Sequence, residues 1–381
     1  MSNNKEDRTK KTNKKPLRLI MAGGGTGGHL FPALALAEEL KQRDKDVEII
    51  FAGAERGIEA KVIPARGYRL ELFDIEGVKK RTGKKRLNAI FKAIKGTFEA
   101  IKRLKEIKPD GVIGSGGYSS GPIVLAAWLL GIKTAILEQN ALPGFTNKIL
   151  GHVVKRVYVA FEEAESFFPK GKTVLTGTPV RKDILRAAKE SETNGTKKKK
   201  EKFSIFVFGG SQGATAINAA FLDATEYLTD IWNSLSVTHQ SGEEGFEVAK
   251  ESYQRKNMKV HLEVFIEDMA SAYKTSDLVI CRAGATTIAE ITSFGLASIL
   301  VPYPFSTDNH QKVNARSLEK KGVSILIMQD ELTGSTLALA IRKFFDNRAG
   351  LERVRDAAKK LSRPEAAGHI VDDFLELLDK G

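Results

Sequence analysis

Short apolar runs bounded by glycines recur along the chain. Residues 17–22 read as a buried strand by their length and flanks. They run into Gly23-Gly24-Gly25-Thr26-Gly27-Gly28-His29, after which residues 32–40 read as a helix with Leu34, Ala37 and Leu40 on one face. Further strands are predicted at 47–52, 111–113 and 134–137. The second of these enters Gly114-Ser115-Gly116-Gly117-Tyr118, and the third ends in Glu138-Gln139-Asn140. Strand, glycine loop and helix alternating in this way predict βαβ units on a parallel sheet. Near residue 180 the pattern breaks, and residues 189–202 form a polar stretch holding Lys197-Lys198-Lys199-Lys200. It then restarts. A strand at 203–208 feeds Gly209-Gly210-Ser211-Gln212-Gly213-Ala214, and one at 278–281 feeds Arg282-Ala283-Gly284-Ala285-Thr286-Thr287 and a helix with Ile288 and Ile291 inward. A last strand at 297–301 is ended by Pro302 and Pro304. The simplest account is two doubly wound parallel-sheet domains facing a cleft, with ligands beyond the carboxyl ends of the strands, where the glycine loops lie. The breaks delimit a basic tail at 1–16, a first domain at 17–180, a second at 181–362 that includes the polar stretch, and a closing segment at 363–381 with Ile370, Phe374 and Leu377 at helical spacing.

Composition narrows the class. A length of 381 residues suits two domains, each able to bury a core. One Cys cannot form an internal disulfide, and no Cys/His cluster suits zinc, so the expectation is a reducing cytoplasm and no structural metal. The longest apolar stretch, residues 123–132, falls short of the roughly 20 residues that span a bilayer. The 60 basic against 47 acidic side chains give a net charge of +13. That charge fits a solvated surface or attachment to anionic lipid. Nucleic acid is not expected, because no stretch interleaves basic and aromatic residues in the manner of a known RNA-binding motif.

Glycine-rich strand-to-helix turns expose unpaired amides at a helix start, a ready site for an anion. Gly23, Gly25 and Gly28 satisfy the dinucleotide pattern, but the second strand ends Phe51-Ala52-Gly53-Ala54 with Glu55 arriving late, so a plain tight turn competes with a dinucleotide site. In the second half, the amides and hydroxyls of 284–287 suit a phosphate. Glu290, one turn in, suits two ribose hydroxyls or simply a helix N-terminus. Asn309-His310-Gln311 suit sugar hydroxyls. Residues 79–103 join Lys84, Lys85 and Arg86 to Ile90, Phe91, Ile94 and Phe98 at helical spacing, describing either a segment that lies on anionic lipid or a core helix with a basic outer face.

Taken together, these motifs resemble the MurG family of peptidoglycan N-acetylglucosaminyltransferases. The resemblance runs in order through residues 24–33, Gly116-Gly117-Tyr118, Glu138-Gln139-Asn140 with Thr146-Asn147-Lys148, Thr176-Gly177-Thr178-Pro179-Val180-Arg181, 209–214, 281–285 with Glu290, and His310-Gln311 with Asn314-Ala315. It implies a GT-B glycosyltransferase of two Rossmann-like domains with a last helix crossing back to the first. The first domain would bind polyprenyl-linked lipid I and the second UDP-N-acetylglucosamine. The implied reaction is an inverting transfer to the 4-hydroxyl of the muramyl sugar, giving lipid II.

The resemblance also implies roles for individual residues. His29 is the candidate base. Thr26, Ser211 and the amides of Ala285, Thr286 and Thr287 would hold the diphosphate with Arg181 as a clamp, and Gly27 and Gly28 are further donor-binding candidates. Glu290 would take the ribose and the Ile266 backbone the uracil, with Asn140, His310 and Gln311 on the donor sugar. Tyr118 and Asn147 are acceptor-side candidates. The family often carries two glutamines where this chain has His310-Gln311, and Leu137 stands where some relatives have a histidine. No cofactor or tightly bound metal is expected. The implied location is peripheral, on the cytoplasmic face of the plasma membrane, with an anionic membrane surface and cell-wall synthesis proteins as further candidate partners. A diacylglycerol glucosyltransferase, a UDP-N-acetylglucosamine 2-epimerase and a non-catalytic nucleotide-sugar or RNA-binding module are the competing readings.

Overall fold

A computed structural model describes residues 15–54, 57–73, 83–193, 201–210 and 213–380, without the side chains of 83–92. Ser211, most of the basic tail and the lysine run at 197–200 lie outside the described residues, as do the side chains of Lys84, Lys85, Arg86, Ile90 and Phe91.

The first half runs β1 (Arg18–Gly23), α1 (Gly27–Arg43), β2 (Glu48–Ala54), α2 (Glu59–Ala65), β3 (Arg69–Phe73), α3 (Gly83–Ile107), β4 (Gly111–Gly116), α4 (Ser120–Leu129), β5 (Lys133–Glu138), α5 (Phe145–Leu150), β6 (Arg156–Val159), α6 (Glu162–Glu165) and β7 (Thr173–Leu175). Its sheet is parallel in the order β3-β2-β1-β4-β5-β6-β7. After α7 (Lys182–Thr193) the plan repeats. The elements are β8 (Phe203–Phe208), α8 (Thr215–Ala224), β9 (Leu235–Gln240), α9 (Phe246–Arg255), β10 (His261–Glu263), α10 (Met269–Thr275), β11 (Leu278–Cys281), α11 (Ala285–Ser293), β12 (Ala297–Leu300), α12 (His310–Lys320) and β13 (Ser324–Leu326). The second sheet is parallel in the order β10-β9-β8-β11-β12-β13. Helices α13 (Gly334–Phe345), α14 (Arg348–Leu361) and α15 (Ala366–Asp379) close the chain. Each sheet reverses its winding at its first strand, so the glycine turns after β1 and β4, and after β8 and β11, sit at the two topological switch points.

Central strands such as Ile49-Ile50-Phe51-Ala52 and Phe206-Val207-Phe208 are apolar on both faces because helices cover both faces of the sheet. Helix α1 begins at Gly27, five residues before the start expected at Pro32. Pro32 lies inside it, and without an N–H it leaves the Gly28 carbonyl free of its intrahelical partner. Helix α15 packs on the first half. Phe374 is buried against Gly111, where a Cβ would lie 2.8 Å from its ring, and Tyr158 Oη donates to Asp373 at 2.8 Å. Helix α3 has one buried and one exposed apolar stretch. Ala100, Leu104 and Ile107 are buried in the core, whereas Ile94 and Phe98 are 51% and 69% exposed.

The second core contains a buried polar triad. His239 pairs through Nδ1 with Tyr253 Oη at 2.8 Å and through Nε2 with Asn218 Oδ1 at 3.1 Å. The Asn218 amide nitrogen donates to Ser241 O at 2.7 Å, so its oxygen faces His239. His239 therefore carries its proton on Nε2 and accepts from the Tyr253 hydroxyl, with both ring nitrogens satisfied in the neutral form. Burial pushes its pKa down to about 4. The unfolded chain takes up this proton near 6.5. Stability should therefore be fully present above pH 6.5 and decline by about 3 kcal/mol as pH falls toward 4. Urea unfolding across that range checks this, with a flatter profile expected for His239→Gln.

Candidate functional site

The site grows from an irregularity in the first sheet. Along β1 and β4, Ala22 pairs with Gly114 but Gly23 pairs with Gly116, leaving Ser115 as an extra residue on β4. A bulge of this kind re-aims backbone groups. Here the Ser115 carbonyl turns to the helix start and meets His29 Nδ1 at 3.0 Å and Gln139 Nε2 at 2.8 Å. A carbonyl only accepts, so His29 bears its proton on Nδ1 and presents a bare Nε2. Gly116, at φ +97°, leaves room for the ring: a Cβ there would lie 2.6 Å from His29 Nδ1. Burial is the main cause of a lowered His29 pKa. The Ser115 bond opposes the shift and the charge of His310 reinforces it. The imidazole is thus neutral at pH 7.

Facing this turn, α11 starts directly after β11. Ala285, Thr286 and Thr287 form its first turn, where amides have no carbonyl from a preceding turn. Thr286 Oγ1 reaches the Gly28 carbonyl at 3.5 Å, the oxygen that Pro32 leaves unpaired. Two helix N-termini therefore meet across the cleft, both with partial positive charge. One turn into α11, the buried Glu290 accepts from Tyr273 Oη at 3.0 Å and lies 3.7 Å from the Arg181 guanidinium. Burial pushes its pKa up, with Arg181 and Tyr273 opposing. Arg181 also lies over the Phe31 ring at 5.4 Å, and its Nε is buried without a hydrogen-bond partner. It thus spans the junction of the two halves.

Other expected residues are held by partners within the protein. Ile266 N–H donates to Gln240 Oε1 at 2.9 Å, while Gln240 Nε2 donates to Gly210 O at 2.9 Å. His310 Nδ1 donates to the Thr307 carbonyl at 2.7 Å. It follows Asp308 and Asn309, two consecutive left-handed residues that turn the chain sharply into α12. Gln311 Oε1 accepts from Tyr303 N–H at 2.9 Å. Asn140 Oδ1 accepts from Asn314 Nδ2 at 3.1 Å, and Asn314 Oδ1 accepts from Ala141 N–H at 2.9 Å, which couples the β5 loop to α12 of the other half.

Asn147, expected on the acceptor side, is buried: its amide nitrogen donates to Leu137 O at 2.8 Å and to Glu138 Oε2 at 2.9 Å, and its Oδ1 has no hydrogen-bond partner. Glu138 itself gathers Asn140 N–H at 2.9 Å and Gly144 N–H at 3.1 Å around a buried carboxylate. Tyr118, partly exposed, stands beside Gly25.

Gln139, Gln240, Asn314 and Glu59 carry no role that the sequence alone predicts. Each acts on backbone far from it in sequence or across a turn, and no local pattern carries that. Among the described residues, no group of three or more His, Cys, Asp or Glu could hold a metal ion, and no helix is long and apolar enough to cross a membrane.

Comparison with known proteins places this geometry. The glycosyltransferase family 28 N-terminal domain matches residues 19–159 and its C-terminal domain residues 204–370. A UDP-N-acetylglucosamine–N-acetylmuramyl-(pentapeptide) pyrophosphoryl-undecaprenol N-acetylglucosamine transferase of Myxococcus xanthus is 46% identical, over 95% of this chain and 93% of its own. A protein of the same name from Citrifermentans bemidjiense is 44% identical, over 93% and 98%. The crystal structure of Acinetobacter baumannii MurG superposes with a TM-score of 0.78 at 34% identity, covering 96% of this chain and all of that one, 100%. With two such domains in order and relatives this similar over nearly the whole length, the chain belongs to the MurG family of N-acetylglucosamine transferases.

Proposed function

We propose that this chain transfers N-acetylglucosamine from UDP-N-acetylglucosamine to the 4-hydroxyl of the muramyl sugar of polyprenyl-linked lipid I, giving lipid II. The observation that carries the mechanism is the neutral His29, its Nε2 bare, at the meeting point of two helix N-termini. Nε2 takes the proton of the acceptor hydroxyl as its oxygen attacks the anomeric carbon. The bond to the UDP oxygen breaks on the opposite face, inverting that carbon, and UDP leaves with the bonding pair. Negative charge grows on the diphosphate as it leaves, and fixed amides stabilise such charge without reorganisation.

The donor lies along the second switch point. The amides of Ala285, Thr286 and Thr287, with Thr26, the amides of Gly27 and Gly28, and Ser211, take the diphosphate, and Arg181 clamps it. Glu290 accepts from the ribose hydroxyls. Ile266 offers its carbonyl to the uracil imide, because its N–H is already bonded to Gln240. Asn140, His310 and Gln311 face the sugar, Gln311 through the nitrogen that its bond to Tyr303 leaves over. Tyr118 lies on the acceptor side, and Asn147 serves it indirectly through the 138–144 loop.

Lipid I is delivered at an anionic membrane surface, on the cytoplasmic face. Support comes from Ile94 and Phe98, exposed on the basic helix α3, and from Trp128 and Leu129, exposed at the end of α4, which packs on α3. Apolar residues beside basic ones lie on anionic lipid, each basic residue adding roughly 1 kcal/mol.

The deciding experiment is UDP release from UDP-N-acetylglucosamine that depends on a lipid I analogue. Release without acceptor, or an epimerised sugar, contradicts the reading. His29→Ala should lower kcat about 10²–10⁴-fold while UDP binding is retained. Glu290→Ala should weaken UDP binding by about 1–3 kcal/mol, measured by calorimetry. Because His29 works in its neutral form and its pKa is lowered, kcat/KM should rise with pH along a limb lying below 6.5, and the remaining activity of His29→Ala should lack that limb. On vesicles rich in anionic phospholipid, the double variant Ile94→Glu/Phe98→Glu should lose most co-sedimentation yet keep its turnover of a water-soluble acceptor; unchanged co-sedimentation contradicts the membrane assignment.

A further inference from the structure

The first glycine loop already holds an anion, and it is the protein's own. Glu59, the first residue of α2, is 1% exposed. Its Oε2 accepts Gly25 N–H at 2.8 Å and its Oε1 accepts Ala54 N–H at 3.0 Å. Gly24, Gly53 and Gly57 wall the carboxylate, and a Cβ on any of them would overlap it. In a dinucleotide-binding turn the acid after the second strand points outward to a ribose, and the loop amides face a phosphate. Here the acid points inward and occupies one of those amides.

The loop it holds is coupled to the base. Gly25 adopts φ +85°, and Gly24 packs so tightly on the turn after β4 that a Cβ at Gly117 would lie 2.6 Å from the Gly24 carbonyl oxygen. Ser115, whose carbonyl fixes His29, lies in β4 just before that turn. Thr26, Gly27, Gly28 and His29 follow directly on Gly25. Two ionisable groups act on the imidazole: the charge of Glu59, on α2, favours its protonated form, and that of His310, on α12, opposes it.

We propose that Glu59 is a positioning residue for the transfer reaction. It locks the β1–α1 loop so that Thr26 to His29 face the cleft, and it occupies the Gly25 amide, leaving Thr26 and the amides of Gly27 and Gly28 for the diphosphate. The proposal rests on His29 as the base.

The test is steady-state kinetics of the full chain with a lipid I analogue, comparing Glu59→Gln, Glu59→Asp and His29→Ala, with folding checked by circular dichroism. Glu59→Gln keeps the shape, removes the charge and leaves one amide facing an NH2 group. Its kcat should fall tenfold or more, by a larger factor than its KM for UDP-N-acetylglucosamine rises, and its acid limb should move to lower pH. Glu59→Asp keeps the charge, so kcat should fall while the limb stays in place. Wild-type kcat with an unmoved limb in a folded Glu59→Gln overturns the proposal, as does a raised donor KM with kcat intact. If Glu59→Gln does not fold, Glu59→Asp decides: a lowered kcat supports the proposal and a wild-type kcat overturns it. If the limb survives in His29→Ala, the base assignment fails, and the kcat against KM split of the Glu59 variants still judges the loop.

Discussion

The hydrogen bond from His29 Nδ1–H to the Ser115 carbonyl is the contact on which the rest of the site depends. It exists because β4 carries one residue more than β1 at their shared end. A regular strand would leave that carbonyl in the ladder, and the imidazole would be free to take either tautomer. The bulge gives the carbonyl two donors, His29 and Gln139, and the absence of a Cβ at Gly116 admits the ring. Tautomer, orientation and burial then follow together, and burial keeps the ring neutral.

The cleft is assembled by backbone shortages on one side met by side chains from the other. Pro32 strips the Gly28 carbonyl of its helical partner, and Thr286 reaches it from the second half. Asn314, fully buried on α12, satisfies Ala141 and Asn140 of the β5 loop, and Ser317 Oγ donates to Glu163 at 2.6 Å nearby. Lys182, at the start of α7, bonds the Glu38 carbonyl at 3.2 Å and so ties the crossover to α1. These bonds fix the distance between the two helix N-termini. Arg181 and Glu290 belong to the same economy of charge: a buried carboxylate is tolerable because a guanidinium and a phenol stand against it.

The duplicated architecture was legible because β1, β4 and β8 are short apolar runs closed by glycines, as at residues 203–208 before Gly209. Edge strands such as β7, β10 and β13 are three residues long and only partly apolar, so local pattern carries little of them. His29, Glu290 and Arg181 were legible as candidates because their motifs sit at strand ends. Their partners were not: Ser115 acts through a carbonyl, Tyr273 through a hydroxyl on another helix, and Asn314 from a distant helix. Glu59 is the instructive case. It comes five residues after β2 ends, too late for the dinucleotide pattern, and only the folded turn reveals that its carboxylate returns to the Ala54 amide at that strand end. Asn147 is similar: its motif marks the residue, but only the fold shows its amide bonded to Leu137 and Glu138.

Nitrogen-15 NMR of the histidine-labelled chain, with His29 identified by the signals lost in His29→Ala, addresses the central claim most directly. At pH 7 the account predicts a protonated Nδ1 and a bare Nε2, with the ring taking up its second proton only below pH 6.5. A proton on Nε2, or an imidazolium at neutral pH, would contradict it.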